Sequence, residues 1–265
     1  MDKIDDLSAR CNSLNQFFYK QISQDFSDSR QYFWHGWQDL WINVLEPGIS
    51  KQDFINLNVL DLGCGNARFY DFLETQFTKK GIADLTTKLN YTGIDFTKEL
   101  LDDSKNKNIK LLEADVLTQN WLDKLDENFD LIVAFGLMHH IKDGSLCDNF
   151  FNQIKAVLKP DGLVVLVTWN FVNNPTLMER KADFNNIEIQ EYLTKFSLTK
   201  ADFTENDYLL DWQRGSNAWR YCHYYTEDEM LNLLAKHGLN LSQKFYGDGK
   251  NSVMNTYWVC TIVNS

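Results

Sequence analysis

Proline is scarce in this chain of 265 residues, which holds only Pro47, Pro160 and Pro175 and shows no low-complexity tract or internal repeat. That excludes a string of modules on Pro-rich linkers and leaves one compact unit. A cysteine framework is missing too. Cys11, Cys64, Cys147, Cys222 and Cys260 are odd in number, widely spaced and never in a C-x-x-C pair, so neither a disulfide scaffold nor a metal site is expected, and a reducing cytoplasmic setting fits. No run approaches the roughly 18 apolar residues of a membrane helix. Met1 to Arg10 is acidic and polar rather than basic then apolar, so no membrane association and no leader are expected. Positive charge is also short: 26 Lys and Arg stand against 37 Asp and Glu, a net charge of −11. Surfaces that bind nucleic acid broadly draw their affinity from cations on phosphates, so any such contact here must be confined to a local basic strip.

What is present is a substantial apolar fraction, 44% of residues, enough for one sizeable core. Leu14, Phe17, Phe18, Ile22 and Phe26 recur at mostly helical spacing over 14–30, and a second helix is expected from Trp37 to Leu45. Strands then alternate with helices. Asn58–Leu62, Asn90–Ile94, Ile109–Glu113, Phe129–Phe135 and Leu163–Thr168 read as strands. Ala67–Phe77, Lys98–Ser104 and Ser145–Leu158 read as helices, and Lys159-Pro160-Asp161-Gly162 as a turn. Such alternation implies a parallel sheet with right-handed crossovers. Asn240–Phe245 and Thr256–Val263, after a helix over Thr226–His237, would complete seven strands. The expected fold is α/β: a doubly wound, mostly parallel seven-stranded Rossmann-like sheet in a single domain over 1–265. It divides into N-terminal helices (1–57), a core (58–170), a helical lid insertion (171–225) over the carboxyl ends of the strands, and a final helix and strands (226–265).

Three features stand at the ends of consecutive strands. Asp61-Leu62-Gly63-Cys64-Gly65 follows a strand and opens a helix, so backbone can approach a ligand while the helix N-terminus offers free amides. A third glycine of the dinucleotide fingerprint would fall at Arg68, which argues against a nicotinamide cofactor. Asp95 could accept both hydroxyls of a ribose or merely cap the next helix. Asp115 could meet an adenine amino group or sit in a solvated turn.

Val59-Leu60-Asp61-Leu62-Gly63-Cys64-Gly65, Tyr91-Thr92-Gly93-Ile94-Asp95, Glu113-Ala114-Asp115-Val116, Phe129-Asp130-Leu131-Ile132 and Leu158-Lys159-Pro160-Asp161-Gly162 resemble the successive motifs of class I S-adenosylmethionine-dependent methyltransferases. The resemblance implies S-adenosylmethionine as cofactor, with Asp95 on the ribose, Asp115 and Val116 at the adenine, and Asp61, Gly63, Cys64 and Gly65 at the methionine end. Phe96 and Phe135 would complete that set. The spacing from Gly65 to Asp95 is long, the excess falling in a loop around Lys79–Leu89. Three further stretches, Phe26-Ser27-Asp28-Ser29-Arg30 with Trp34, Leu137-Met138-His139-His140-Ile141, and Trp219-Arg220-Tyr221-Cys222-His223-Tyr224-Tyr225, are similar to segments of the tRNA wobble-uridine methyltransferases that esterify 5-carboxymethyluridine. The sequence departs from that pattern at Ser29, Phe33, His35 and Cys222.

That likeness implies tRNA as acceptor, a small activating subunit as possible partner, and a site built from Arg30, His139, Arg220 and His223 with Trp34, Trp219 and Tyr221 around the base. Arg30 or Arg220 would orient the carboxylate, His139 would shape the site, and the aromatic side chains would stack on the base. A basic strip of Arg30, Arg180, Lys181, Arg214 and Arg220 would meet the phosphates. Plainer readings stand beside these: Arg30 pairing with Asp25 or Asp28, Trp34, Trp37 and Trp41 as a core stripe, the two histidines as a structural pair. Two other functions stay open, a methyltransferase of a small acid or hydroxyl compound and a catalytically silent tRNA- or partner-binding module.

Overall fold

Strand and helix alternate because the central strands are apolar on both faces and the helices that cover them on one. The computed structural model describes residues 6–28, 32–49, 57–81, 88–105, 107–118, 120–212 and 216–263. In chain order α1 (Asp6–Asp28) leads to α2 (His35–Leu40), which runs through a π-helical turn (Trp41–Leu45) into α3 (Glu46–Ile49). Then come β1 (Leu57–Leu62), α4 (Arg68–Lys79), β2 (Leu89–Asp95), α5 (Lys98–Asp102), β3 (Lys110–Glu113) and β4 (Phe129–Ala134). α6 (Ser145–Val157), β5 (Leu158–Trp169), α7 (Pro175–Met178) and α8 (Ile187–Thr194) follow. The chain closes with β6 (Asp207–Trp212), β7 (Ser216–His223), α9 (Glu227–Lys236), β8 (Leu239–Gly247) and β9 (Asn255–Ile262).

Seven strands form one sheet in the order β3-β2-β1-β4-β5-β9-β8. β1 to β5 run parallel, and β9 is antiparallel between β5 and β8. From β1 the crossovers lead outward to β2 and β3, then back across to β4 and β5, so a crevice opens where β1 and β4 diverge at their carboxyl ends. Side chains alternate between two faces. Leu60, Leu62, Ile94, Ile132, Val164 and Leu166 pack against α6 and α9, while Val59, Tyr91, Leu131, Val133 and Val165 pack against Trp37, Trp41 and the α4 residues Phe69, Phe72 and Leu73. Among the described residues no helix is long and apolar enough to cross a membrane.

Two expectations about elements are corrected. The Lys159–Gly162 turn lies within β5, where the pairing slips from Phe129↔Leu158 to Leu131↔Leu163, so the chain bulges instead of leaving the sheet. The insertion is not simply helical: behind short α7 and α8 it forms an antiparallel ribbon of β6 and β7, with Leu210 opposite Arg220 and Asp207 opposite His223. Its strand pattern is hidden because Arg220, Tyr221, Cys222 and His223 are all buried, leaving no polar face. α1 closes against this ribbon. Cys11 and Leu14 join Leu209 and Tyr221 in one cluster, and Phe18 and Ile22 enclose Ala218 in another.

Candidate active site

A cleft of about 660 Å³ lies at the carboxyl ends of β1, β2 and β4, within the usual range of ligand sites. Its first half is made of backbone. After β1 the chain turns through Gly63 at φ +73° and Gly65 at φ +55°, with Ala67 also left-handed at φ 51° before α4 begins. L side chains are strained there, so glycine suits the loop. Gly63 N and Cys64 N both donate to Ile94 O, at 2.8 and 3.1 Å, which ties the loop to β2. Cys64 then lies so close to β2 that a Cβ at Gly93 would stand 2.7 Å from its Sγ. That explains the glycine one strand away.

Asp95 at the end of β2 accepts from Gly65 N at 2.9 Å and from Thr97 N at 2.8 Å, one donor on each oxygen. It therefore is no helix cap; it closes a local turn and braces the glycine loop, and the Phe96 amide and Thr97 hydroxyl add to the donors around it. Burial raises its pKa, and the amides of Thr97 and Gly65 oppose the rise. Asp61 accepts from Tyr91 Oη, and burial raises it to about 7 despite that hydrogen bond. Asp115, after β3, accepts from Leu117 N at 2.9 Å and from Thr118 Oγ1 at 2.7 Å. Asn12 and Gln16 of α1 add two donors at 2.6 Å each. Phe96, Val116 and Phe135 line the same half.

The second half is side chain. His139 and His140 form a short turn after β4 and lie buried, their rings 4.1 Å apart. His140 Nδ1 is 2.9 Å from Tyr221 O, which can only accept, so that nitrogen carries the proton and Nε2 accepts from Tyr19 Oη at 2.7 Å. Burial first, then the charge of Arg220, lowers its pKa to about 3, so the ring is neutral. His139 stands against the ring of Trp169, centroids 5.1 Å apart. Arg220 reaches the cleft from β7 with 7% of its surface exposed. Its guanidinium lies over Trp169 at 5.0 Å, Phe18 at 5.4 Å and Trp212 at 5.8 Å, and its Nε has no hydrogen-bond partner. Among the described residues no carboxylate pairs with it.

The methyltransferase domain family matches residues 24–244. The chain belongs to that family. A putative methyltransferase of Encephalitozoon cuniculi is 25% identical over 225 residues, covering 84% of this chain and 86% of that one. An S-adenosylmethionine-dependent methyltransferase from Clostridium acetobutylicum shares the fold with a TM-score of 0.55, at 14% identity over 95% of this chain and 100% of that one. The 1,6-didemethyltoxoflavin-N1-methyltransferase of Burkholderia thailandensis, solved with bound 1,6-didemethyltoxoflavin and S-adenosylhomocysteine, gives a TM-score of 0.51 at 15% identity, covering 94% of this chain and 91% of that one.

In this methyltransferase the cleft gathers Asp61, Gly63, Cys64, Gly65, Asp95, Phe96, Asp115, Val116 and Phe135 with Trp34, His139 and Arg220. Three expected residues stand elsewhere. His223 points away from the cleft: Nδ1 bonds Asp207 and Nε2 bonds Glu229, both at 2.8 Å. Burial pushes its pKa down, but those two carboxylates outweigh it and hold the ring near 9. Tyr221 is fully buried with its hydroxyl donating to Asp207 at 2.5 Å, and Trp219 packs with the α8 cluster, so neither can stack on a base in the cleft. The cause is strand alternation: Arg220 reaches the cleft from one face of β7, and Trp219, Tyr221 and His223 lie on the other. Arg30 and Arg214 lie outside the described residues.

The sequence reading missed Asn12, Asn15 and Tyr19 of α1, Trp169, and the β8–β9 turn residues Asp248 and Asn255, all of which line the cleft. Asp248 accepts from Gly36 N at 2.9 Å, Asn255 Nδ2 at 2.8 Å and Tyr257 Oη at 2.7 Å, pinning that turn to the start of α2. α1 is rich in polar residues, and only the burial of Asn12 and Asn15, which the sequence does not display, sets them apart. His139, His140 and Cys222 offer ligand atoms within 4.8 Å of one another, yet both His140 nitrogens are engaged and Arg220 supplies a cation beside them, so the cluster is ill suited to a metal.

Proposed function

We propose that this methyltransferase uses S-adenosylmethionine and methylates an acceptor whose carboxylate is held by Arg220. The residues present fit the cofactor: Asp95 brings a carboxylate to the cleft at the end of β2 for ribose hydroxyls, the glycine loop leaves room for close approach, and Phe96 and Val116 give an apolar slot for a base. S-adenosylmethionine would supply an electrophilic methyl group. The observation that carries the acceptor is Arg220, a buried guanidinium in an aromatic cage with no carboxylate partner among the described residues. A buried cation left uncompensated is costly, and its planar fork suits a carboxylate. That carboxylate is already ionised at neutral pH, so no general base is needed. Catalysis then rests on orientation, with Arg220 fixing the acceptor and His139 and Trp169 walling the site against water.

The acceptor we favour is the carboxymethyl group of a wobble uridine in tRNA, on the likeness of the His139-His140 and Trp219–Tyr225 segments. A single splayed nucleotide would enter beside Trp34, the one expected stacking residue on the cleft. The second reading is a free small acid. It is favoured by the net charge of −11 and by Arg180, a member of the expected basic strip, being paired with Asp211 at 2.6 Å. The cytosol suits either reading. Methyl transfer from labelled S-adenosylmethionine to unmethylated tRNA and to a panel of small acids tests this. A carboxyl ester releases its label as methanol on mild alkali; label that survives alkali contradicts a carboxylate acceptor, and no transfer to any acceptor, with cofactor bound, favours a silent binding module.

A further inference from the structure

In the resemblance that names Asp115 as the adenine residue, its carboxylate would accept from the amino group of the base. Here that carboxylate is occupied. Oδ1 accepts from Leu117 N at 2.9 Å, and Oδ2 accepts from Thr118 Oγ1 at 2.7 Å and from Asn12 Nδ2 and Gln16 Nε2 at 2.6 Å each. Three of the four donors crowd Oδ2 and one binds Oδ1, and the side chain is 6% exposed, so little of the carboxylate is offered to an incoming amino group.

Asn12 offers the alternative. It lines the cleft next to Asp115, Val116 and Phe96, and it is 7% exposed. A carboxylate can only accept, so the Asn12 amide must turn its NH2 toward Asp115 and its carbonyl oxygen the other way. Among the described residues nothing donates to that oxygen. Gln16, one helical turn on, donates to the same carboxylate oxygen and so steadies α1 over the slot. We infer that Asn12 is the residue that reads the base edge of the nucleoside in the cleft: its Oδ1 accepts from the exocyclic amino group of an adenine, and Asp115 acts as a positioning residue that fixes the amide. The inference rests on the S-adenosylmethionine reading above. It makes the N-terminal helix part of the cofactor site and gives the site selectivity for a 6-amino over a 6-oxo purine.

The test is calorimetric binding of S-adenosylhomocysteine and S-inosylhomocysteine, which differ only in that group and its ring tautomer. The wild-type protein should prefer the adenosyl compound roughly tenfold to a hundredfold, the loss expected for one buried hydrogen bond replaced by two facing oxygens. Asn12→Ala should bring the two affinities within about threefold of each other, and the near-isosteric Asn12→Leu should do the same if the alanine variant folds poorly. Asp115→Asn should weaken the preference only in part. The assignment is overturned if both Asn12 variants keep the preference while Asp115→Asn abolishes it, since Asp115 would then read the base directly. If the folded wild-type protein binds neither compound, the cofactor reading itself fails and takes the assignment with it.

Discussion

The two halves of the cleft are built on different principles. The half at β1, β2 and β3 is held largely by main-chain amides at the strand ends, Gly65 N to Asp95, Gly63 N and Cys64 N to Ile94 O and Leu117 N to Asp115, with Asn12 and Gln16 the side chains that reach it from α1. The half at β4, β5 and β7 is held by side chains remote in sequence. Asp207 alone gathers Lys142 at 2.6 Å, Tyr221 at 2.5 Å, His223 at 2.8 Å and Thr204 through both its amide and its hydroxyl at 2.8 Å. Burial alone would raise the Asp207 pKa, but those donors drive it far below the usual carboxylate range. His223 hands the charge on to Glu229, which also completes the capping box of α9 with Thr226. A backbone-built site survives loss of most side chains; a network-built one fails as a unit.

The largest effect should therefore come from Asp207→Ala. It strands Lys142 and protonated His223 in a buried setting, and removing one partner of such a network costs about 3–5 kcal/mol. Urea unfolding should register that loss. A cost below about 1 kcal/mol would erase the contrast between the halves. Asp95→Ala comes next, because each charge-assisted hydrogen bond to a ribose hydroxyl contributes about 1.5–3 kcal/mol. S-adenosylhomocysteine should bind at least tenfold more weakly, and unchanged affinity would reduce Asp95 to a brace for the glycine loop. Gly93→Ala should destabilise by about 1–3 kcal/mol through overpacking against Cys64. Adding Cys64→Ala should recover part of that loss, and strictly additive losses would remove the contact as its cause.

Unlike these, the pH response is spread over a window of pH. His223 has a folded pKa of about 9 against an ordinary value of 6.5. A cationic side chain with a raised folded pKa contributes stability that is complete below about 6.5 and fades as pH rises through 9. Wild-type stability should fall over that window relative to His223→Gln, and parallel curves for the two proteins would show that the imidazolium contributes nothing.

How much was legible in the sequence follows the same divide. Gly63, Gly65, Asp95 and Asp115 could be located because the chemistry of a strand end is written within a few consecutive residues. The sheet and its order of elements followed from the same periodicity. The ribbon of β6 and β7 reads as part of a helical insertion because burial on both faces of β7 erases the period of two that marks a strand. That error propagated: without the strand, Arg220, Tyr221 and His223 looked like one polar aromatic cluster. Alternation sends Arg220 into the cleft and Tyr221 and His223 behind it, to Asp207. Asn12, more than a hundred residues from Asp115, had no local signature at all.

The central claim is that the cleft holds two separable sites, one for the nucleoside cofactor and one, around Arg220, for a carboxylate. It is tested most directly by measuring S-adenosylhomocysteine binding and alkali-labile methyl transfer for Arg220→Ala beside the wild-type protein. The account predicts cofactor affinity within about threefold of wild type and ester formation reduced at least a hundredfold, the loss of a charged, bidentate contact. Ester formation close to wild type in the folded variant would contradict it.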